Sequence, residues 1–131
     1  MLSAADWDAL AHAAREAAAH AYCPYSRFAV GAAVRSADGR VFTGCNVENA
    51  SFGLTICAER NAIFQAVAAG ARDIVAVAVY TPTPQPTTPC GACRQVIAQF
   101  GAADVRCDAD GGATARYALD ELLPRRFGLE P

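Results

Sequence analysis

Cys57-Ala58-Glu59-Arg60 and Pro89-Cys90-Gly91-Ala92-Cys93-Arg94 are the two stretches on which the reading of this chain turns. The first opens a helical pattern over 57–69, where Ala58, Ala62, Phe64-Gln65-Ala66 and Ala69 lead to Gly70, a residue suited to the left-handed position after a helix. Between the stretches, Ile74 to Tyr80 is a continuous β-branched and apolar run, as expected of a central strand covered on both faces. Four prolines from Pro82 to Pro89 exclude regular structure there. The chain is therefore expected to run as an extended loop that delivers Cys90 and Cys93 to the start of a helix over 91–100, stopped by Gly101.

Cys90 and Cys93 lie three apart, so the first turn of that helix presents both sulfurs on one side, as a chelating pair requires. Two thiolates half fill a tetrahedral zinc. Cys57 is the best candidate for a third ligand, and Glu59 is a carboxylate placed to act on whatever occupies the fourth position. Three protein ligands with one open position is the pattern of a catalytic zinc, whereas structural sites normally use four. His12 and His20 are further nitrogen donors, but each is a lone histidine in a helical stretch. A structural knuckle would draw a fourth sulfur from Cys23, Cys45 or Cys107, and would leave Glu59 without a purpose. A redox pair at Cys90 and Cys93 would leave both Cys57 and Glu59 unexplained.

Working outward, Ser3-Ala4-Ala5-Asp6 reads as a capping box, and Trp7, Leu10, Ala14, Ala17, Ala18 and Ala21 recur at helical spacing, which predicts a first helix over 4–21. Pro24 ends it. Residues 28–34 and 40–45 read as two strands flanking Asp38-Gly39, a two-residue hairpin signal, and 46–53 has loop chemistry. After Gly101, 104–107 and 113–117 read as short strands around the turn Asp110-Gly111-Gly112, with a last helical turn at Leu119, Leu122 and Leu123 before Pro124. The order β-β-α-β-α-β predicts an α/β domain, a three-layer α-β-α sandwich around a mixed sheet of about five strands.

At 131 residues the chain is expected to form a single domain over 1–131 with a substantial core. Eleven basic against thirteen acidic residues give a net charge of −2, which offers no electrostatic footprint for a nucleic-acid polymer and favours a small substrate. No uncharged apolar run reaches the roughly 18 residues of a membrane span, and the amino terminus lacks the basic start of a secretory signal. The expectation is a soluble, cytoplasmic protein. Six cysteines would also suit three disulfides of a secreted domain, but the ample core and the C-x-x-C spacing favour metal chemistry.

The paired C-A-E-R and P-C-x-x-C-R stretches resemble the zinc-dependent cytidine deaminases, in the branch whose third ligand is Cys where others have His. The resemblance implies one Zn²⁺ per chain on Cys57, Cys90 and Cys93, with Glu59 as general acid/base. It implies that Arg60 donates to the sulfurs and offsets the net negative charge of three thiolates on zinc. Outside the zinc stretches, Tyr22-Cys23-Pro24-Tyr25-Ser26-Arg27-Phe28 and Gly44-Cys45-Asn46-Val47-Glu48-Asn49-Ala50-Ser51 resemble substrate-binding segments of the family. On that match Phe28 stacks on the pyrimidine, Asn46 and Glu48 bind the ribose 3′-hydroxyl, and Ala58 also touches the substrate.

The implied reaction is hydrolytic deamination of cytidine and 2′-deoxycytidine in pyrimidine salvage, by a homotetramer in which Phe52 and Phe127 reach neighbouring subunits. Both phenylalanines also suit core or interface packing. Deamination of a modified cytosine nucleoside such as blasticidin S is the alternative reaction, and the Asn46-Val47-Glu48-Asn49 stretch favours the simple nucleoside. A polynucleotide-editing deaminase conflicts with the charge balance. A zinc-stabilised binding module is the non-enzymatic alternative, and predicts four protein ligands.

Overall fold

A computed structural model of the chain describes residues 1–101 and 103–131. The capping box forms: Ser3 Oγ accepts from the Asp6 N–H, and the Asp6 carboxylate accepts from the Ser3 N–H. It opens α1 (Ala4–Ala18), which buries Trp7, Leu10, Ala11, Ala14 and Ala18 on one face. The helix ends three residues before the expected 21. The N–H groups of Ala19, His20 and Ala21 bond three residues back in tight turns, which brings Tyr22 beside Val47. That pairing is long-range and leaves no trace in helical periodicity.

Strands β1 (Gly31–Ser36), β2 (Val41–Cys45), β3 (Ile74–Tyr80), β4 (Asp104–Asp108) and β5 (Thr114–Ala118) form one mixed sheet in the order β2-β1-β3-β4-β5. Only β3 and β4 pair in parallel. The hairpin β1–β2 is closed by three residues, Ala37-Asp38-Gly39, where the sequence suggested two. Ser36 and Arg40 pair across it, and Gly39 alone in the turn has a positive φ, +90°. Asp38 keeps a negative φ because its carboxylate is held by the Ser36 hydroxyl and the Arg40 backbone and guanidinium, so the paired positive φ values of a two-residue turn do not arise. β1 starts three residues later than expected. Asn46 accepts from the Val30 N–H and donates to the Phe28 carbonyl, taking the backbone groups that a strand partner would use.

Alternation along β3 sorts the two faces. Val77 and Val79 join the core beneath α2 (Ala58–Ala68) and α3 (Gly91–Gln99), whereas Ala76, Ala78 and Tyr80 pack against α1. The short α4 (Leu119–Leu122) closes the α2/α3 side by burying Leu119. This is the expected three-layer arrangement. Small residues let α1 approach closely: a Cβ on Gly31 would lie 1.9 Å from the Ala14 carbonyl oxygen. Gly31→Ala is therefore expected to lower stability by about 1–3 kcal/mol or more, read as a lower urea midpoint at unchanged slope. An unchanged midpoint would contradict this close packing.

Candidate active site

β2 and β3 both run antiparallel to β1 and hence parallel to each other, so the helices that follow them begin at the same end of the sheet. Cys57 is the N-cap of α2 and Cys90 the N-cap of α3, both in extended backbone, and neither side chain caps its own helix. Cys93 sits in the first turn of α3, fully buried. The positive ends of two helices thus meet at three sulfurs, a setting that favours thiolates.

The Sγ atoms of Cys57 and Cys90 are 3.9 Å apart, those of Cys90 and Cys93 3.5 Å, and all three lie within 4.8 Å of one another. Three sulfurs at about 2.3 Å from a tetrahedral zinc would lie about 3.8 Å apart, so the donor set and its spacing suit the ion. Among the described residues no other His, Cys, Asp or Glu joins the group. His12 is exposed on α1 and pairs with Glu16, and His20 is exposed in the turn that follows the helix. Cys107 packs in the core from β4, where burial pushes its thiol up to about 12, and Cys23 and Cys45 are half-buried elsewhere. The four-sulfur knuckle has no fourth ligand here.

Arg60 Nη2 donates to the Cys57 sulfur at 3.4 Å and approaches the Thr55 carbonyl at 3.5 Å, while its buried Nε has no partner. The Cys93 thiol and then the Arg60 guanidinium hold the Cys57 thiol well below its ordinary range. The same contact with Cys57, with burial second, pushes the Cys93 thiol above its ordinary range. Glu59, on the first turn of α2, is 5% exposed, and burial raises its carboxyl above the usual carboxylate range.

Cys57, Ala58, Glu59 and Cys90 line a cavity of about 380 Å³ together with Phe28, Asn46 and Glu48. The segments read separately in the sequence thus converge on one space. Phe28 is 38% exposed there and is not a core residue. Arg27, just before it, has a φ of +56°, and the Phe28 N–H donates to Ser26 Oγ. Glu48 Oε1 accepts from the Tyr25 and Ser26 N–H groups at 2.9 and 3.1 Å, and the Ser26 hydroxyl contact above all holds the carboxyl below its usual range. Asn46 and Glu48 therefore shape the turn that presents Phe28.

Phe52 and Phe127 lie outside the cavity. Phe52 is 75% exposed with its ring edge-on to Tyr25, and Phe127 is 70% exposed with its carbonyl accepting from Gln95 Nε2. Neither belongs to the core of this chain. Thr55, Thr81, Thr87 and Thr88 add hydroxyl groups to the cavity wall, and sequence reasoning missed them. Thr87 and Thr88 come from the proline-rich loop, where no periodicity marks which side chains face inward.

Residues 5–109 match the family model described as the cytidine and deoxycytidylate deaminase zinc-binding region. The cytidine deaminase of Halalkalibacterium halodurans is 51% identical over 112 residues, covering 84% of this chain and 85% of that one. That of Mycobacterium tuberculosis is 45% identical over 125 residues, 95% of this chain and 92% of its own length. The crystal structure of the cytidine deaminase from Burkholderia pseudomallei is similar with a TM-score of 0.88 at 48% identity, over 92% of this chain and 98% of that one. With the family model matched over most of its length and curated relatives and a solved structure similar across nearly all of it, the chain belongs to the cytidine and deoxycytidylate deaminase zinc-binding family.

Proposed function

We propose that the chain is a hydrolase that converts cytidine and 2′-deoxycytidine to uridine and 2′-deoxyuridine with release of ammonia, in pyrimidine salvage. The observation that carries this reading is the meeting of the cysteine cluster and a buried Glu59 at one cavity, whose volume lies in the roughly 300–1,000 Å³ range of small-molecule pockets. Cys57, Cys90 and Cys93 would hold zinc. When bound, the ion supplies a water acidic enough to act as a nucleophile near neutral pH.

The chain's own residues do the rest. Glu59 takes one proton from the attacking water and delivers it to N3 of the cytosine ring as the water oxygen bonds to C4. It then takes the second proton from that new hydroxyl and passes it to the C4 amino group, so that the C4–N bond breaks and ammonia leaves. Phe28 offers an apolar face to the pyrimidine. Glu48, with Oε1 committed to backbone N–H groups, keeps Oε2 to accept from a ribose hydroxyl, and Asn46 fixes the Phe28 carbonyl and Val30 amide. Ala58, buried at the first position of α2, keeps the wall beside Glu59 small. Arg60 offsets thiolate charge. Phe52 and Phe127, exposed in one chain, suit contacts in a homotetramer, which predicts a particle of about four times 13.6 kDa by sedimentation. The activity is assigned to one domain spanning 1–131, in the reducing cytoplasm that keeps its thiols available. No helix among the described residues is long and apolar enough to cross a membrane.

The matched family includes deaminases of nucleosides and of a nucleotide. Glu48 and Glu59 are the charged side chains that line the cavity among the described residues, and no Lys or Arg lines it. A 5′-phosphate would meet like charge without a cationic partner, which costs several kcal/mol. The prediction is a kcat/KM for cytidine and deoxycytidine at least about 100-fold above that for deoxycytidylate. Ammonia release from the three substrates tests it, and a preference for the monophosphate would overturn the nucleoside assignment.

A further inference from the structure

Arg94 is a guanidinium that the reaction does not use, yet it makes three hydrogen bonds at the back of the zinc loop. Nε donates to the Pro89 carbonyl at 2.8 Å, Nη2 to Thr88 Oγ1 at 2.8 Å, and Nη1 to the Leu122 carbonyl at 2.7 Å. The first two acceptors belong to the residues that enter Cys90, and the third is the last residue of α4. The loop joins no strand, because its prolines remove donors; the Asp110 N–H donates to the Thr83 carbonyl near its start, and the Arg94 side chain holds its Thr88–Pro89 end.

We propose that Arg94 is a positioning residue that fastens the Thr88–Cys90 segment to α3 and to the carboxy-terminal α4, and so fixes the Cys90 sulfur for the metal. Gln95 adds a second tie from α3 to the same terminus through its bond to the Phe127 carbonyl. Among the described residues Arg94 neither lines the cavity nor donates to a sulfur. It acts on the site through Thr88, which lines the cavity, and through the backbone of Pro89. Lysine cannot replace it, because a single ammonium cannot reach three acceptors spread around a planar fork.

The inference rests on the zinc reading of the three cysteines. It is tested with Arg94→Met and Arg94→Lys, each loaded with zinc, by the rate at which metal passes to a chromogenic chelator. Cobalt-loaded samples give the thiolate-to-metal absorption as a second signal. Residues behind a metal site commonly govern affinity by about 10–100-fold, so Arg94→Met is expected to release zinc faster by that order, with Arg94→Lys between it and the parent. The cobalt band should shift or weaken in both. Should Arg94→Met fail to fold, Arg94→Lys alone decides. Release and cobalt spectra equal to the parent's in the folded variants would overturn the positioning role. Failure of the parent chain to hold zinc would instead overturn the zinc reading.

Discussion

Glu59→Gln is expected to cut ammonia release from cytidine by at least about 10²–10⁴-fold while the protein keeps its zinc. The amide is nearly isosteric, so the first turn of α2 and the cavity beside it are unchanged. What is lost is the ability to take up and return a proton at a buried position, 5% exposed, where bulk water is a poor substitute. Metal content separates the roles. If zinc leaves with the carboxylate, Glu59 is a ligand; if turnover survives in the zinc-loaded variant, another group moves the protons.

Gly44→Ala should be nearly as damaging although the residue lies on β2, away from the chemistry. A Cβ there would sit 2.4 Å from the Ala62 nitrogen and 2.7 Å from the Ala58 carbonyl oxygen, both backbone of α2. Backbone cannot rotate away, so the helix has to shift as a body. That shift carries Cys57, Ala58 and Glu59 with it. Overpacking of this kind costs about 1–3 kcal/mol, a large share of a typical stability of about 5–15 kcal/mol. A displacement near 1 Å at the reacting groups lowers rate by roughly 10²-fold. Thermal unfolding and kcat, measured on the same zinc-loaded sample, should therefore fall together. A variant with the parent's rate and melting temperature would show that α2 does not rest on Gly44.

Those two substitutions also mark what was legible in the sequence. Glu59 was readable because a metal-ligand spacing and a neighbouring carboxylate constrain each other locally, and the helix starts near Cys57 and Cys90 followed from apolar spacing and from the prolines that precede Cys90. β3 was readable to the residue because a continuous apolar run has few other uses. Gly44 and Gly31 gave no signal, since close approach of a helix to a strand is decided by partners far along the chain. The same applies to the late start of β1 and the early end of α1. Each is set by bonds from the loop 46–48, to Val30 and Phe28 in one case and to Tyr22 in the other. Arg94 carried no signal beyond its place after Cys93, because its acceptors at Thr88, Pro89 and Leu122 lie outside any short motif.

The most direct measurement is ammonia release from cytidine by metal-stripped protein titrated with zinc. The account predicts no release without metal, a rate that rises in proportion to bound zinc, and a plateau at one ion per chain. Protein that holds one zinc per chain on its cysteines and leaves cytidine untouched would contradict it.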